Sequence, residues 1–240
     1  IDFFKITPED IINNFDDIYD SQDEPFPGIP TIGKDLLIRR GYDKNFKVIL
    51  EGQGGDDFAA GYYYVYPFYI KSLFKKFRYI QIYKEIKNFT KKENINLYNF
   101  MKLYLSSIVS FNGKFISADG TSSYDGNILN AKYKNRENII YKTILNEVSF
   151  IKNPLKKIIY RDLFYCKLPR ILRSCDRASM SHSKELRVPL LDHNIVEFFF
   201  NLKDRQLINN GNLRDFYRHY IQKFYPEISS YEIFKKKKYV

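Results

Sequence analysis

Apolar residues recur at Ile11, Ile12, Phe15, Ile18 and Tyr19, the spacing that gives a helix one apolar face. Thr7-Pro8-Glu9-Asp10 precedes them with an N-cap, a proline at the first helical position and acids in the first turn. Asp23-Glu24-Pro25-Phe26-Pro27-Gly28 interrupts the pattern as a loop. A second helix is expected from about Thr31 to Arg40, with Gly41 as its stop. Val48-Ile49-Leu50 is a short continuous apolar run, the pattern of a strand buried on both faces. The short aromatic segment Asp2 to Ile6 reads as another strand. Strand, helix, helix, strand is the alternation of an α/β fold.

Helical signals dominate after Asp57. Phe58 to Lys76 reads as helix broken near Pro67, and residues 80–110 keep a helical period around Tyr98, Met101, Leu103, Tyr104, Leu105 and Ile108. Residues 112–136 are rich in Asn, Gly, Ser and Asp and read as a long mobile loop. Residues 137–165 look helical again, interrupted at Pro154. If a helix starts at Pro169, then Arg170, Arg173 and Arg177 share one face. Three guanidiniums in a stripe are a candidate polyanion clamp, or else a solvated basic face with Asp176 pairing locally. Glu185 and Arg187 read as scaffold ion-pairing residues. Asp192 reads as the N-cap of a helix carrying Ile195, Val196, Phe198, Phe199, Phe200 and Leu202.

Composition narrows this picture. The 240 residues are 44% hydrophobic and 18% aromatic, which suits a globular chain with a sizeable core. The net charge of +11 is diffuse, densest at Lys235–Lys238, and is not interleaved with any nucleic-acid recognition module. No nucleic-acid partner is therefore expected. No stretch approaches the ~18 apolar residues of a membrane span, so no membrane is expected either. Cys166 and Cys175 form no metal-type pair, and His182, His193 and His219 have no ligand spacing. A reduced, cytoplasmic setting is expected.

The turn after the apolar run carries the chemistry. Glu51-Gly52-Gln53-Gly54-Gly55-Asp56-Asp57 combines glycines, which let the main chain approach a ligand closely, with adjacent carboxylates. Carboxylates at the carboxyl end of a parallel strand are well placed to hold a hard cation such as Mg2+. A glycine-rich turn with an Asp-Asp helix start is the plainer reading.

Taken together, these stretches resemble the C-terminal synthetase domain of the glutamine-hydrolysing asparagine synthetase family, over nearly the whole chain. The family's Asp-Glu-Pro loop and its Ser-Gly-Glu-Gly-(Gly/Ser/Ala)-Asp-Glu turn followed by Gly-Tyr correspond to Asp23-Glu24-Pro25, Glu51–Asp57 and Gly61-Tyr62. Its second motif corresponds to Leu168-Pro169, Leu172, Asp176-Arg177-Ala178-Ser179-Met180, Ser183, Glu185 and Arg187–Asp192. The resemblance implies an adenine nucleotide α-hydrolase-like α/β fold, with a nucleotide-binding part at about 1–66 and a helix-rich part at about 67–240. It implies activation of an acid, aspartate in the type enzymes, by attack on the ATP α-phosphorus, and then amide formation with ammonia from a glutaminase domain. By the same resemblance Asp56 would serve the Mg2+-pyrophosphate, Glu51 and Gly52 would lie against the nucleotide, and Arg177 would bind cofactor. Lys236 is the best match to a phosphate-contacting lysine, although the four-lysine run leaves the exact residue open. Self-association is also left open.

Three departures shape the expectation. The family's Ser-Gly-Gly-x-Asp-Ser pyrophosphate loop has no match here, and neither does the glutaminase domain with its leading cysteine. The chain is therefore expected to be a fragment that forms no asparagine and exchanges no pyrophosphate alone. Gln53 stands where asparagine synthetases have a Glu important for the adenylate step, and a carboxamide is neither a base nor charged. That leaves two rivals: an amidotransferase acting on another acid, in polysaccharide or peptide modification, and a non-catalytic remnant.

Overall fold

The computed structural model describes residues 5–24, 26, 28–42, 46–110, 143–144 and 146–229. Among the described residues the fold is mostly helical with one small parallel two-stranded sheet, an α/β arrangement. Most of the strand expected at Asp2–Ile6 lies outside the described residues, as do the loop 112–136, much of the helical stretch expected from 137, and Lys236. Lys5 and Ile6 carry no strand. Contacts gather into two compact units, one made of 1–54 with 162–192 and the other of 55–161 with 193–240.

In the first unit, α1 (Pro8–Gln22) starts as its sequence dictates. Thr7 caps it in a reciprocal capping box with Asp10, and Pro8 takes the first turn. Asp23, in the left-handed conformation at φ 59°, ends it. The second helix, α2 (Ile29–Tyr42), runs through Gly41 instead of stopping there. Isolated glycine costs a helix only about 1 kcal/mol, which neighbouring turns absorb. Ile18 of α1 and Ile32 and Leu36 of α2 form a core with Ile6, Ile11 and Phe26 packed against it. Strand β1 (Val48–Leu50) pairs parallel with β2 (Glu185–Arg187), Ile49 opposite Leu186. β1 is not buried on both faces as its apolar run predicts: Val48 is 40% and Leu50 70% exposed. A two-stranded sheet has too few neighbours to bury both faces of a strand, and among the described residues nothing covers Leu50.

The second unit is helical: α3 (Gly55–Phe58), α4 (Tyr66–Lys75), α5 (Tyr79–Lys92), α6 (Leu97–Ser110) and α7 (Pro154–Arg161). Pro67 sits in the first turn of α4, where its missing N–H is harmless, and starts that helix instead of breaking a longer one. The helical period expected over 80–110 is carried by two helices, α5 and α6. In the first unit again, α8 (Leu168–Met180) carries the arginine stripe. Returning to the second, α9 (His193–Asn201) begins directly after Asp192, followed by α10 (Asp204–Leu207), α11 (Asp215–Phe224) and α12 (Pro226–Ser229). No described helix is long and apolar enough to cross a membrane.

Without tryptophan, Phe and Tyr fill this core. Tyr66 stacks on Phe89 at 3.8 Å, Phe100 meets both edge-on, and Phe58 packs on Phe199 at 4.8 Å. Polar cross-links join the helices. Asp204 accepts from Ser72, from Lys76 Nζ at 2.8 Å and from Asn153 Nδ2 at 2.8 Å.

Lys156 of α7 is buried, donating to the Phe199 carbonyl at 3.0 Å. Burial pulls its ammonium down to about 8, with Asp204 opposing and Lys76 assisting. Above that pH the folded protein has released a proton that the unfolded chain keeps to about 10.4, so stability rises with pH in this window. Lys156→Met should remove that rise, flattening the gain by about 2 kcal/mol between roughly pH 7.5 and 9.5. Urea midpoints of the two proteins at the two pH values measure it.

Candidate active site

The turn leaving β1 has glycines with different duties. Gly54 has φ +92°, and a Cβ there would lie 2.6 Å from Leu191 Cγ, so only glycine fits. Gly52 is exposed, and a Cβ there would meet nothing closer than Leu190 at 4.0 Å. Gly54 is thus held by the fold and Gly52 is not. Gly54→Ala is expected to destabilise the protein by about 2 kcal/mol or more, and Gly52→Ala by under about 0.5 kcal/mol. If Gly52 serves close approach of a nucleotide, the stable Gly52→Ala protein loses nucleotide affinity. Thermal unfolding and calorimetric ATP titration separate the two effects.

Glu51, at the carboxyl end of β1, is held by Lys34 of α2, which also reaches Cys175 of α8. Lys34 Nζ pairs with Glu51 Oε1 and donates to Cys175 Sγ at 2.8 Å. Burial lowers the Lys34 ammonium, but its bonds to Cys175 and Glu51 outweigh this and hold it above the usual lysine value. Burial pushes the Cys175 thiol up against the pull of Lys34, so Cys175 stays a thiol and accepts. Glu51 Oε2 is buried without a hydrogen-bond partner. Gln53, half-buried, follows in the turn.

The arginine stripe forms as its spacing predicts, but all three guanidiniums are already engaged. Arg173 pairs with Glu24, Arg177 Nη1 pairs with Asp23 at 2.6 Å, and Arg170 Nε donates to the Cys166 carbonyl at 3.1 Å. The carboxylates that pair with the stripe are therefore Asp23 and Glu24, distant in sequence, of the Asp-Glu-Pro loop. These pairs are about half exposed, worth about 0–1 kcal/mol each, so they orient the loop more than they stabilise it. Glu185 and Arg187 pair with each other at 2.8 Å across their exposed strand.

Asp56, in α3, is half-exposed. Arg214 Nη1 donates to its Oδ1 at 2.8 Å. Gly61 leaves the carboxylate its room, since a Cβ at that position would lie 2.6 Å from Asp56 Cγ. Tyr217, one turn along α11 from Arg214, is raised to about 12 by burial and then by the Asp56 charge. Sequence reasoning missed Lys34, Arg214 and Tyr217. Each is a common residue in an ordinary helix pattern, with no local signal.

Among the described residues no group of three or more His, Cys, Asp or Glu side chains gathers as a metal cage. Mg2+ arriving with a nucleotide does not require one, because it takes one or two carboxylates and fills its sphere with phosphate oxygens and water. Asp56, accessible and with one oxygen pinned, fits that role. Lys236 lies outside the described residues.

Residues 3–238 match the family model described as asparagine synthase. No curated protein and no solved structure matches the chain. The match spans almost the whole sequence, including both motif stretches, the β1 turn and α8. The chain belongs to the asparagine synthase family, whose membership supports a ligase-type enzyme that uses ATP on small-molecule substrates.

Proposed function

We propose that the protein takes part in ATP-dependent amide synthesis through an acyl-adenylate, in an adenine nucleotide α-hydrolase-like fold whose nucleotide part is residues 1–66. Aspartate is the acid and a glutaminase domain supplies the ammonia. The observation that carries this reading is the family match over residues 3–238, with a glycine turn ending in Asp56 at the close of a parallel strand. Gly52, open to solvent, presents main chain to the nucleotide, and Glu51 and Arg177 lie along it. Asp56 holds the Mg2+ ion, which neutralises the leaving pyrophosphate when bound. Lys236 adds a cation at the phosphates.

Gln53 supports a second reading, in which the acid is not aspartate. A carboxamide at that position donates and accepts hydrogen bonds but removes no proton, so the adenylate step must draw its base from elsewhere or use a different acid. Two measurements test the proposal. Millimolar Mg-ATP should bind the chain, and no binding would leave only a scaffold. AMP formation by the full-length protein, compared across aspartate and other carboxylic acids, identifies the acid. AMP released with another acid and none with aspartate would overturn the aspartate assignment.

A further inference from the structure

Asp56 has a partner whose backbone is unusual. Arg214 stands just before α11 at φ 54°, ψ 37°, the left-handed region that strains a non-glycine residue. No side-chain cap bond accompanies that geometry. What the conformation achieves is a guanidinium delivered to Asp56 Oδ1 at 2.8 Å, in a pair 29% and 36% exposed. The contact is to one carboxylate oxygen, and a guanidinium with five N–H donors uses one of them here. One turn on, the Tyr217 phenol oxygen is buried with no hydrogen-bond partner. Burial, and then the Asp56 charge, keep it protonated at neutral pH. A carboxylate beside an arginine with donors to spare suits a ligand carrying both a cation and anionic oxygens.

Resting on the proposed function, we infer that Arg214 is the positioning residue of Asp56, and that it makes this carboxylate accept a divalent cation as a phosphate complex in preference to the bare ion. Electrostatics gives the discrimination its sign. A bare divalent cation at Asp56 is repelled by the adjacent guanidinium. The Mg-ATP complex is net negative, so the same guanidinium attracts it and can donate to a phosphate oxygen. Pinning Oδ1 also fixes the carboxylate rotamer, leaving Oδ2 as the oxygen presented to the metal.

The test is the pair of substitutions Arg214→Gln and Arg214→Lys in the full chain, read by two titrations. Nucleotide-free Mn2+ binding is followed by water-proton relaxation, and Mg-ATP binding by calorimetry. Arg214→Gln should weaken Mg-ATP about tenfold while tightening bare Mn2+ severalfold, and Arg214→Lys should recover much of the Mg-ATP loss. A merely structural role would move both affinities in the same direction. Movement of both together, or of neither, overturns the inference. The unfolding midpoint should shift by only a few degrees, as befits a partly exposed pair. If the wild-type chain binds no Mg-ATP, the proposed function fails on that arm, while the Mn2+ arm still decides whether Arg214 guards Asp56.

Discussion

Glu85→Ala should lower the protein's thermal midpoint by roughly 10 °C, a loss of about 3–5 kcal/mol. Glu85 lies on α5, only 2% exposed. Its Oε2 accepts from Tyr66 Oη at 2.8 Å and from the Gly211 N–H at 2.9 Å. Its Oε1 accepts from the Asn210 N–H at 3.0 Å and, more weakly, from Tyr69 Oη at 3.4 Å. Burial and the Glu85 charge push both tyrosines well above the usual phenol range, so they stay donors. Truncation removes the carboxylate from four donors, of which Tyr66 Oη keeps the Glu85 main-chain carbonyl at 3.0 Å and the others lose this acceptor. Glu85→Gln should do little better, because the amide NH2 replaces one acceptor with a donor facing donors. The 210–211 turn lies close against α5, since a Cβ at Gly211 would lie 2.6 Å from the Phe89 nitrogen. Circular dichroism melts of the two variants measure the effect. A midpoint within about 3 °C of wild type would refute the network's importance.

Asp56→Asn is expected to cost Mg-ATP affinity about a hundredfold, or ~3 kcal/mol, while the fold barely notices. An asparagine keeps the shape and one oxygen for Arg214 but removes the charge that a Mg2+ ion needs. The stability change stays within about 1 kcal/mol, because the pair with Arg214 is partly exposed. Titrating ATP at fixed Mg2+, and again in excess chelator, isolates the metal-dependent part. The substitution should remove the difference between those two curves. Equal Mg2+ dependence in both proteins would free Asp56 from any metal role.

Much of the local structure was legible in the chain. The Thr7–Asp10 capping box, α1, α2, β1 and the helix carrying Arg170, Arg173 and Arg177 follow from caps, proline placement and periodicity, which act over a few residues. The failures share one cause. The apolar run Val48–Leu50 encodes a strand but not how many neighbours cover it, and Gly41 and Pro67 are punctuation marks whose force depends on packing and on position within the helix turn. At the candidate site, Glu51, Gly52, Gln53 and Asp56 stand out because glycines and acids in one turn are rare. Lys34, Arg214 and Tyr217 do not, because partners 17, 158 and more residues away leave no trace in any local window.

From the amino-acid order alone come the family, the ligase class and the turn proposed to carry the chemistry, since these rest on residue types in fixed spacing. Tertiary structure decided which glycine is bound by sterics, which carboxylate is neutralised and by which cation, and that residues 162–192 return to pack with 1–54. Spacing along a chain sets which groups are available. Distances in space, where Coulomb energy and van der Waals overlap act, set which of them meet.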